Sequence, residues 1–394
     1  MDAKAGARER FDEVRDSLID LSHRIHASPE LGFEEVKAST WLAEALDAAG
    51  FTVERGVYDL PTAFVARAGT GPLHIAICAE YDSLPGIGHA CGHNLIAAMA
   101  AGAAIAAARV ADDVGLTVSV IGTPAEEVGD GGGKILLLER GAFAGVHAAM
   151  MVHPAPLDVV EIPMIAASTF DVHYTGKEAH ASAFPELGIN AADALTIAQT
   201  AIGLLRQHIQ PTDRVHGIIT KGGDAPNVIP AHTAARYMVR ALTLDDLGDI
   251  HGKVLRCFEA GALATGSKLE IIGGQKPYAE MRHDPSIAAA YRRNAEALGR
   301  FFPDLGAALQ RLAGSTDMGN VSLVLPSIHP MIGIGSMPAM NHQPEFTAHC
   351  VTEAADNAIL DGSLAMAWTA IDIASDAAVR ERLMSAAAPE LAPA

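Results

Sequence analysis

The sequence predicts an α/β protein in which helices flank a mixed, largely parallel sheet and a smaller α+β unit is inserted. Up to about residue 165, short apolar runs alternate with helical stretches, as in strands joined by crossover helices. Residues 166–275 instead read strand, helix, strand, strand, helix, strand, and the α/β texture resumes after Pro277. Length agrees, since 394 residues exceed a single ordinary domain of roughly 150.

Residues 8–26 carry Phe11, Val14, Leu18, Leu21 and Ile25 at helical spacing. A second helix runs from Glu34 to a Gly50 cap. Near-continuous apolar runs at 73–79, 116–122 and 148–152 read as buried parallel strands. The stretch 95–108 is uncharged and mostly alanine, too short to span a bilayer, and reads as a closely packed helix. Within the insertion, strands at 169–175, 215–221, 233–242 and 269–272 alternate with helices at 190–209 and 245–264. That order is the ferredoxin-like βαββαβ unit. Its first helix gathers Leu195, Ala198, Ile202, Leu205 and Ile209 on one stripe, enough to cover a small sheet. Residues 1–165 and 276–394 then form one discontinuous domain, with a helix at 286–300 and a strand at 331–335. The alanine-rich tail from Ser375, ending Pro-Glu-Leu-Ala-Pro-Ala, is expected to fray.

Composition narrows the partners. With 28 Lys and Arg against 47 Asp and Glu, the formal net charge of −19 repels phosphate backbones and anionic bilayers. Neither nucleic acid nor a membrane surface is an expected partner. Residues 1–10 are charged and lack the apolar stretch of a secretory signal. Four cysteines without a CxxC pair fit a reduced, cytoplasmic setting.

Three polar clusters directly follow predicted strands: Glu80-Tyr81-Asp82, Glu126-Glu127 and His153-Pro154. In an open parallel sheet the carboxyl ends of the strands share one edge, so these clusters are expected in one crevice. His89-Ala90-Cys91-Gly92-His93 adds a thiol and two imidazoles from the loop before the alanine-rich helix. Thiol, imidazole and carboxylate together suit a borderline-soft divalent cation, zinc first. Cys91 and His93 can face one site from a tight loop, with a strand-end histidine and one glutamate completing the set. An adjacent glutamate pair lets one bind metal while the other carries protons. A bound cation lowers the pKa of water from 15.7 to about 7, and two cations about 3.5–4 Å apart hold nucleophile and carbonyl together. The chemistry this favours is amide hydrolysis.

Competing motifs fail. Gly86-x-Gly88 lies between strand and helix, but Cys91 occupies the third glycine position of a dinucleotide fingerprint. Gly131-Gly132-Gly133-Lys134 lacks both the first glycine and the Ser/Thr of a phosphate loop. HExxH and GxSxG do not occur.

The sequence resembles the two-metal aminoacylase and carboxypeptidase G family of metallopeptidases. The branch it resembles holds hippurate hydrolase, auxin-conjugate hydrolases, aminobenzoyl-glutamate hydrolase and dipeptidase-like members. The marks are Arg24-x-His26-x-x-Pro29-Glu30-Leu31, Ala79-Glu80-Tyr81-Asp82-Ser83-Leu84-Pro85, His89-Ala90-Cys91-Gly92-His93, Pro124-Ala125-Glu126-Glu127, His153-Pro154, Gly176-x-x-Ala179-His180, Asn227-Val228-Ile229-Pro230 and Asn341-His342, in that order along most of the chain. The resemblance implies a zinc-peptidase-like catalytic domain with 166–275 as lid and dimerisation domain. It implies two divalent ions per subunit, zinc or else manganese, cobalt or nickel, on Cys91, His93, Glu127, His153 and His342. Glu126 is then the general base, His180 the oxyanion donor, and Asn227 with Arg240 the clamp on a substrate carboxylate. Ser315 and Asp317, in Ser315-Thr316-Asp317-Met318-Gly319-Asn320, resemble the aminobenzoyl-glutamate and dipeptidase-like group and are read as substrate-binding.

The chain departs from the wider family in two places. Glu80-Tyr81-Asp82 stands where a His-x-Asp pair is usual, so ligation shifts to Cys91 and His93 and Asp82 becomes a supporting residue. Asn94 replaces the aspartate that many members of the branch carry after Cys-Gly-His. The expected function is hydrolysis of an N-acyl or N-aminoacyl amino acid, a small amide or dipeptide, by a cytoplasmic homodimer. Two alternatives stand beside it: a thiol hydrolase with Cys91 as nucleophile, and a metal- or ligand-binding homologue without activity.

Overall fold

The protein, a computed structural model, is described over residues 2–385. The chain opens with α1 (Ala3–His26), α2 (Val36–Ala48), β1 (Thr52–Arg55), β2 (Phe64–Ala68), β3 (Leu73–Ala79), α3 (His93–Ala108) and α4 (Ala111–Val114). It continues through β4 (Leu116–Gly122), α5 (Gly133–Glu139), β5 (Ala148–Met150) and β6 (His153–Ala155). Next come β7 (Ala166–Thr175), α6 (Ala191–Leu205), β8 (Arg214–Lys221), β9 (His232–Ala241), α7 (Leu244–Thr265) and β10 (Lys268–Gly273). It closes with α8 (Pro285–Ala297), α9 (Met318–Ser322), β11 (Ser327–Ile328), β12 (Met331–Gly333), α10 (Pro344–His349), α11 (Glu353–Ser375) and α12 (Ala377–Ser385).

Two compact units result. The first takes the described residues of Met1–Val128, Gly132–Pro163 and Met281–Ala394, and the second takes Gly129–Gly131 and Met164–Glu280. The glycine loop joins the second unit because Gly131 N–H donates to Lys276 O and Lys276 N–H to Asp130 Oδ1, both at 2.9 Å.

The sheet of the first unit has the order β1-β2-β4-β3-β5-β11. Strand β3 pairs in parallel with β4 and β5, so Ala79, Gly122 and Met150 end at one edge. Both long central strands are buried at all but one position and largely apolar because both faces are covered. Strands β1 and β2 pair antiparallel at the opposite side, an addition the sequence pattern did not announce. Helix α3 is buried along nearly its whole length, packed on α1 and α11. Alanine and glycine permit this close approach: a Cβ at Gly102 would stand 2.4 Å from Ser363 Oγ and 2.8 Å from Phe11.

The second unit is a βαββαβ fold with strand order β10-β7-β9-β8, every pair antiparallel. Phe170, Val172, Tyr174, Val239, Ile250 and Phe258 fill its core. A Cβ at Gly261 of α7 would lie 2.2 Å from Ala194 O of α6, so glycine sets how closely the two helices pack.

The tail corrects one expectation. Residues 377–385 form α12 instead of fraying, with Leu383 fully buried and Arg382 paired bidentately to Asp284 at 2.8 and 2.9 Å. The Pro-Glu-Leu-Ala-Pro-Ala end lies outside the described residues. Among the described residues, no helix is long and apolar enough to cross a membrane.

Candidate metal centre

The strand ends deliver their polar clusters to one edge of the first unit. Glu80 and Asp82 leave β3, Glu126 and Glu127 form a single 3-10 turn beyond β4, and His153 opens β6 just after β5. Cys91 and His93 flank Gly92 at the start of α3. Only glycine suits that position: its φ is +80°, and a Cβ there would meet Pro154 Cγ at 2.4 Å. The missing side chain lets the His153-Pro154 segment close on the loop, and Cys91 Sγ lies 3.4 Å from His153 Nε2. His342 comes from a distant loop stitched to the same place. Its N–H donates to Ala90 O at 2.9 Å, and Asn341 Nδ2 donates to Pro154 O at 3.0 Å. His342 Nε2 then stands 3.5 Å from Glu127 Oε1, and His93 Nε2 stands 3.7 Å from that same oxygen.

Donor atoms of Cys91, His93 and His153 lie within 4.8 Å of one another, as do those of Cys91, Glu127 and His342, and those of His93, Glu126 and Glu127. Three buried atoms here lack a hydrogen-bond partner, His93 Nε2, Glu127 Oε1 and Glu80 Oε2, the first and last of them 3.3 Å apart. Desolvated atoms left bare in this way are costly unless something binds them, and soft and hard donors converging at one point suit a cation of the zinc type. Residues and group therefore fit. All but His342 are buried or nearly so, while the His342 side chain is 57% exposed.

The surroundings orient these donors. Asp82 takes His93 Nδ1 at 2.9 Å through Oδ1 and the Glu127 N–H at 2.9 Å through Oδ2. That leaves His93 Nε2 pointing inward, the usual carboxylate–histidine arrangement behind a metal. His153 Nδ1 bonds Pro154 O at 2.8 Å, which likewise frees Nε2. Burial opposes charge on His93, but Asp82, Cys91 and Glu80 outweigh it and hold its pKa well above the usual value. Positive charge is what this locus favours.

The two glutamates diverge. Burial, then Glu80, Glu127 and Asp317, push the Glu126 carboxyl well up. Burial also opposes charge on Glu127, yet His342 and His93 overcome it and draw its pKa down. One is favoured ionised among nitrogen donors while the burial of its neighbour opposes charge there. Burial, then the Glu127 charge, raises the Cys91 thiol well above its usual range, the opposite of an activated nucleophile.

A buried ion-pair network that the sequence did not reveal lies alongside. Lys134 is wholly buried, its Nζ 2.5 Å from both Glu80 Oε1 and Asp317 Oδ1, while its N–H donates to Asp317 Oδ2 at 2.9 Å. This corrects the reading of Asp317 as substrate-binding. The side chain has no exposed surface and both of its oxygens are taken, so it balances Lys134 instead. Ser315, two residues earlier, is half-buried. A lysine after a glycine run was legible only as part of a failed phosphate loop, since its partners Glu80 and Asp317 lie far away in sequence.

In the second unit His180 and Asn227 come together. Ala181 N–H donates to Asn227 O at 3.0 Å and His180 bridges to Val228. Both side chains are exposed. The N–H groups of Ser182 and Ala183 approach His180 Nδ1 at 3.3 Å each, so the proton of the neutral ring belongs on Nε2, which faces outward as a donor. Arg240 lies on β9, half-buried, its Nε 3.2 Å from Met238 Sδ.

An α/β sheet edge that gathers a thiol, three imidazoles and paired carboxylates defines a hydrolase of the metallopeptidase class. The model for peptidase family M20/M25/M40 matches residues 76–359. The mouse Xaa-Arg dipeptidase is 40% identical over 385 residues, covering 94% of this chain and 88% of that protein. A p-aminobenzoyl-glutamate hydrolase polypeptide from Escherichia coli is 36% identical over 290 residues, 68% of this chain and 58% of its own. Among solved structures, a Klebsiella pneumoniae aminobenzoyl-glutamate utilization protein has the same fold, with a TM-score of 0.71 and 18% identity over 92% of this chain and 97% of its own. A Bacillus subtilis protein described as a dinuclear metal binding peptidase aligns with a TM-score of 0.65 and 22% identity over 92% and 99%. The chain belongs to the M20 peptidase family, and it is a hydrolase of peptide or amide bonds.

Proposed function

We propose that the protein is a two-metal dipeptidase, cleaving the amide of an N-aminoacyl or N-acyl amino acid whose released residue is basic. The convergence of Cys91, His93, Glu127, His153 and His342 on one cleft carries this reading. Similarity to a Xaa-Arg dipeptidase over 94% of the chain supports the basic residue, and a net charge of −19 favours cationic substrates. The similarity to a p-aminobenzoyl-glutamate hydrolase favours a second substrate class, an aroyl-glutamate.

The five donors would hold the ions, zinc first among them. When bound, such ions polarise the scissile carbonyl and acidify water. Glu126 takes the proton from the attacking water on its carboxylate and delivers it to the departing amine nitrogen. Asp82 keeps His93 in the tautomer that ligation requires. Nε2–H of His180 donates to the carbonyl oxygen as that oxygen gains charge. Asn227 and the Arg240 guanidinium hold the substrate carboxylate, and Ser315 lines the substrate site. The Cys91–His153 pair serves as a ligand pair and not as a nucleophile couple, consistent with a thiol raised by burial.

We assign the second unit as lid and dimerisation domain of a cytoplasmic homodimer. Its edge strand β8 leaves Ile218 65% and Ile219 51% exposed, an apolar edge of the kind proteins cover. Light scattering on the purified protein is expected to give twice the chain mass.

The activity test is direct. Protein stripped with a chelator should lose hydrolysis of Xaa-Arg and Xaa-Lys dipeptides and recover it with zinc, manganese or cobalt. The Glu126→Gln variant should retain zinc and lose about 3 kcal/mol or more of transition-state stabilisation. Full turnover in metal-free protein, or wild-type turnover in Glu126→Gln, would refute the assignment.

A further inference from the structure

The hydrolytic scheme leaves one buried carboxyl group unused. Glu35 is the N-cap of α2 and has no exposed surface, far from Glu126 and Glu127 in sequence. Its Oε1 accepts the N–H of Ala125 at 2.8 Å, while Oε2 is buried without a partner. Ala125 immediately precedes the two glutamates and takes a left-handed backbone, φ +58°. For alanine that conformation is strained and persists only where surrounding contacts impose it.

The same turn is gripped on two sides. A Cβ on Gly32 would reach Ala125 Cβ at 2.9 Å and Val128 Cγ1 at 3.0 Å. A Cβ on Gly133 would meet Pro124 O at 2.0 Å. The Pro124–Ala125 backbone therefore lies in a slot walled by two glycines, and Glu35 supplies the directional bond that fixes Ala125 there. The segment around Glu35 also secures a neighbouring loop: Glu30 O accepts from Ser83 N–H and Oγ at 2.8 and 2.9 Å, just after Asp82. The Glu30 side chain in turn accepts from the N–H groups of Lys37 and Ala38 in the first turn of α2.

We propose that Glu35 is a positioning residue for hydrolysis. By accepting the Ala125 N–H, it holds the left-handed turn that aims Glu126 at the reacting water and Glu127 at the cation. The inference rests on the roles given above to Glu126 and Glu127. An acceptor is what matters, so a glutamine should serve and a methionine of similar size should not. Burial and the charge of Asp82 raise the Glu35 carboxyl to about 7.

The test compares Glu35→Met, Glu35→Gln and Glu35→Met/Ala125→Gly in the full-length protein. Three quantities are read: kcat and KM on an Xaa-Arg dipeptide, zinc affinity by competition with a chromophoric chelator, and thermal midpoint. For Glu35→Met, kcat should fall and zinc affinity weaken by about ten- to a hundred-fold with KM little changed, as when outer supports of a metal ligand are lost. Glu35→Gln should stay within about three-fold of wild type because its amide oxygen still accepts. Glycine at 125 should recover most of the methionine loss, since it holds φ +58° unaided. A folded Glu35→Met with wild-type kcat and zinc affinity, equal damage from Met and Gln, or no recovery with glycine would each overturn the proposal. If Glu35→Met does not fold, Gly32→Ala presses on the same turn from its other side. Its kcat and zinc affinity should fall together, and unchanged values would overturn the proposal. If wild-type protein cleaves no dipeptide, the hydrolytic reading fails separately, and zinc affinity still decides the role of Glu35.

Discussion

Two carboxylate–cation clusters in this molecule stand in opposite surroundings. In the first unit Lys134 sits between Glu80 and Asp317 with none of the three side chains exposed. In the second, Arg236 makes a bidentate pair with Asp171 at 2.8 and 2.9 Å, but its side chain is 61% exposed. The buried triad carries a desolvation cost that only its mutual attraction offsets, so it locks Glu80 in place beside His93. The open pair competes with water and locks little. The contrast extends to function. Of the groups that would grip cations all but His342 are held inside the first unit, whereas His180 and Asn227 present themselves on exposed loops of the second.

Three substitutions probe that contrast. Lys134→Met leaves Glu80 and Asp317 buried without their cation, and urea unfolding of metal-free protein should show a loss of about 3–5 kcal/mol. A loss below about 1 kcal/mol would put the triad on a par with a surface pair and break the comparison. Asp82→Asn removes the carboxylate behind His93 and should weaken zinc binding roughly ten- to a hundred-fold, read by chelator competition, with little change in fold. Wild-type affinity there would mean the buried network does not steer the ligands. Arg236→Ala should shift the unfolding free energy by no more than about 1 kcal/mol, and less in high salt. A larger effect would show that the open sheet face is covered in solution.

Much of this was legible in the chain. The three parallel strands, the alanine-rich helix and the βαββαβ order followed from apolar runs and their spacing, and strand ends predicted where Cys91, Glu127 and His153 would meet. Strands β1 and β2 were not, because Thr52–Arg55 is short and largely polar and Phe64–Ala68 carries Arg67, so neither shows a clean period. Asp317 was misjudged because an acidic residue in a motif says nothing about burial, which only Lys134, far away in sequence, decides. Glu35 passed unnoticed inside the helix read from Glu34, since its partner is a backbone N–H some ninety residues on. Local pattern finds what repeats along the chain, and these contacts do not repeat.

Helix α3 has no wet side. Its polar ties to α1 and α11 are few, Asn94 Nδ2 to Ser22 Oγ at 2.8 Å and Ser363 Oγ to Met99 O at 3.2 Å, so its axial position is set largely by fit where Gly102 meets Ser363 and Phe11. His93 stands at the head of that rod, about 14 Å from Gly102 at 1.5 Å per residue. A single added methyl at Gly102 would thus be felt as a displaced imidazole. Tolerance to mutation at the catalytic edge is therefore governed partly by crowding in a place no substrate ever reaches.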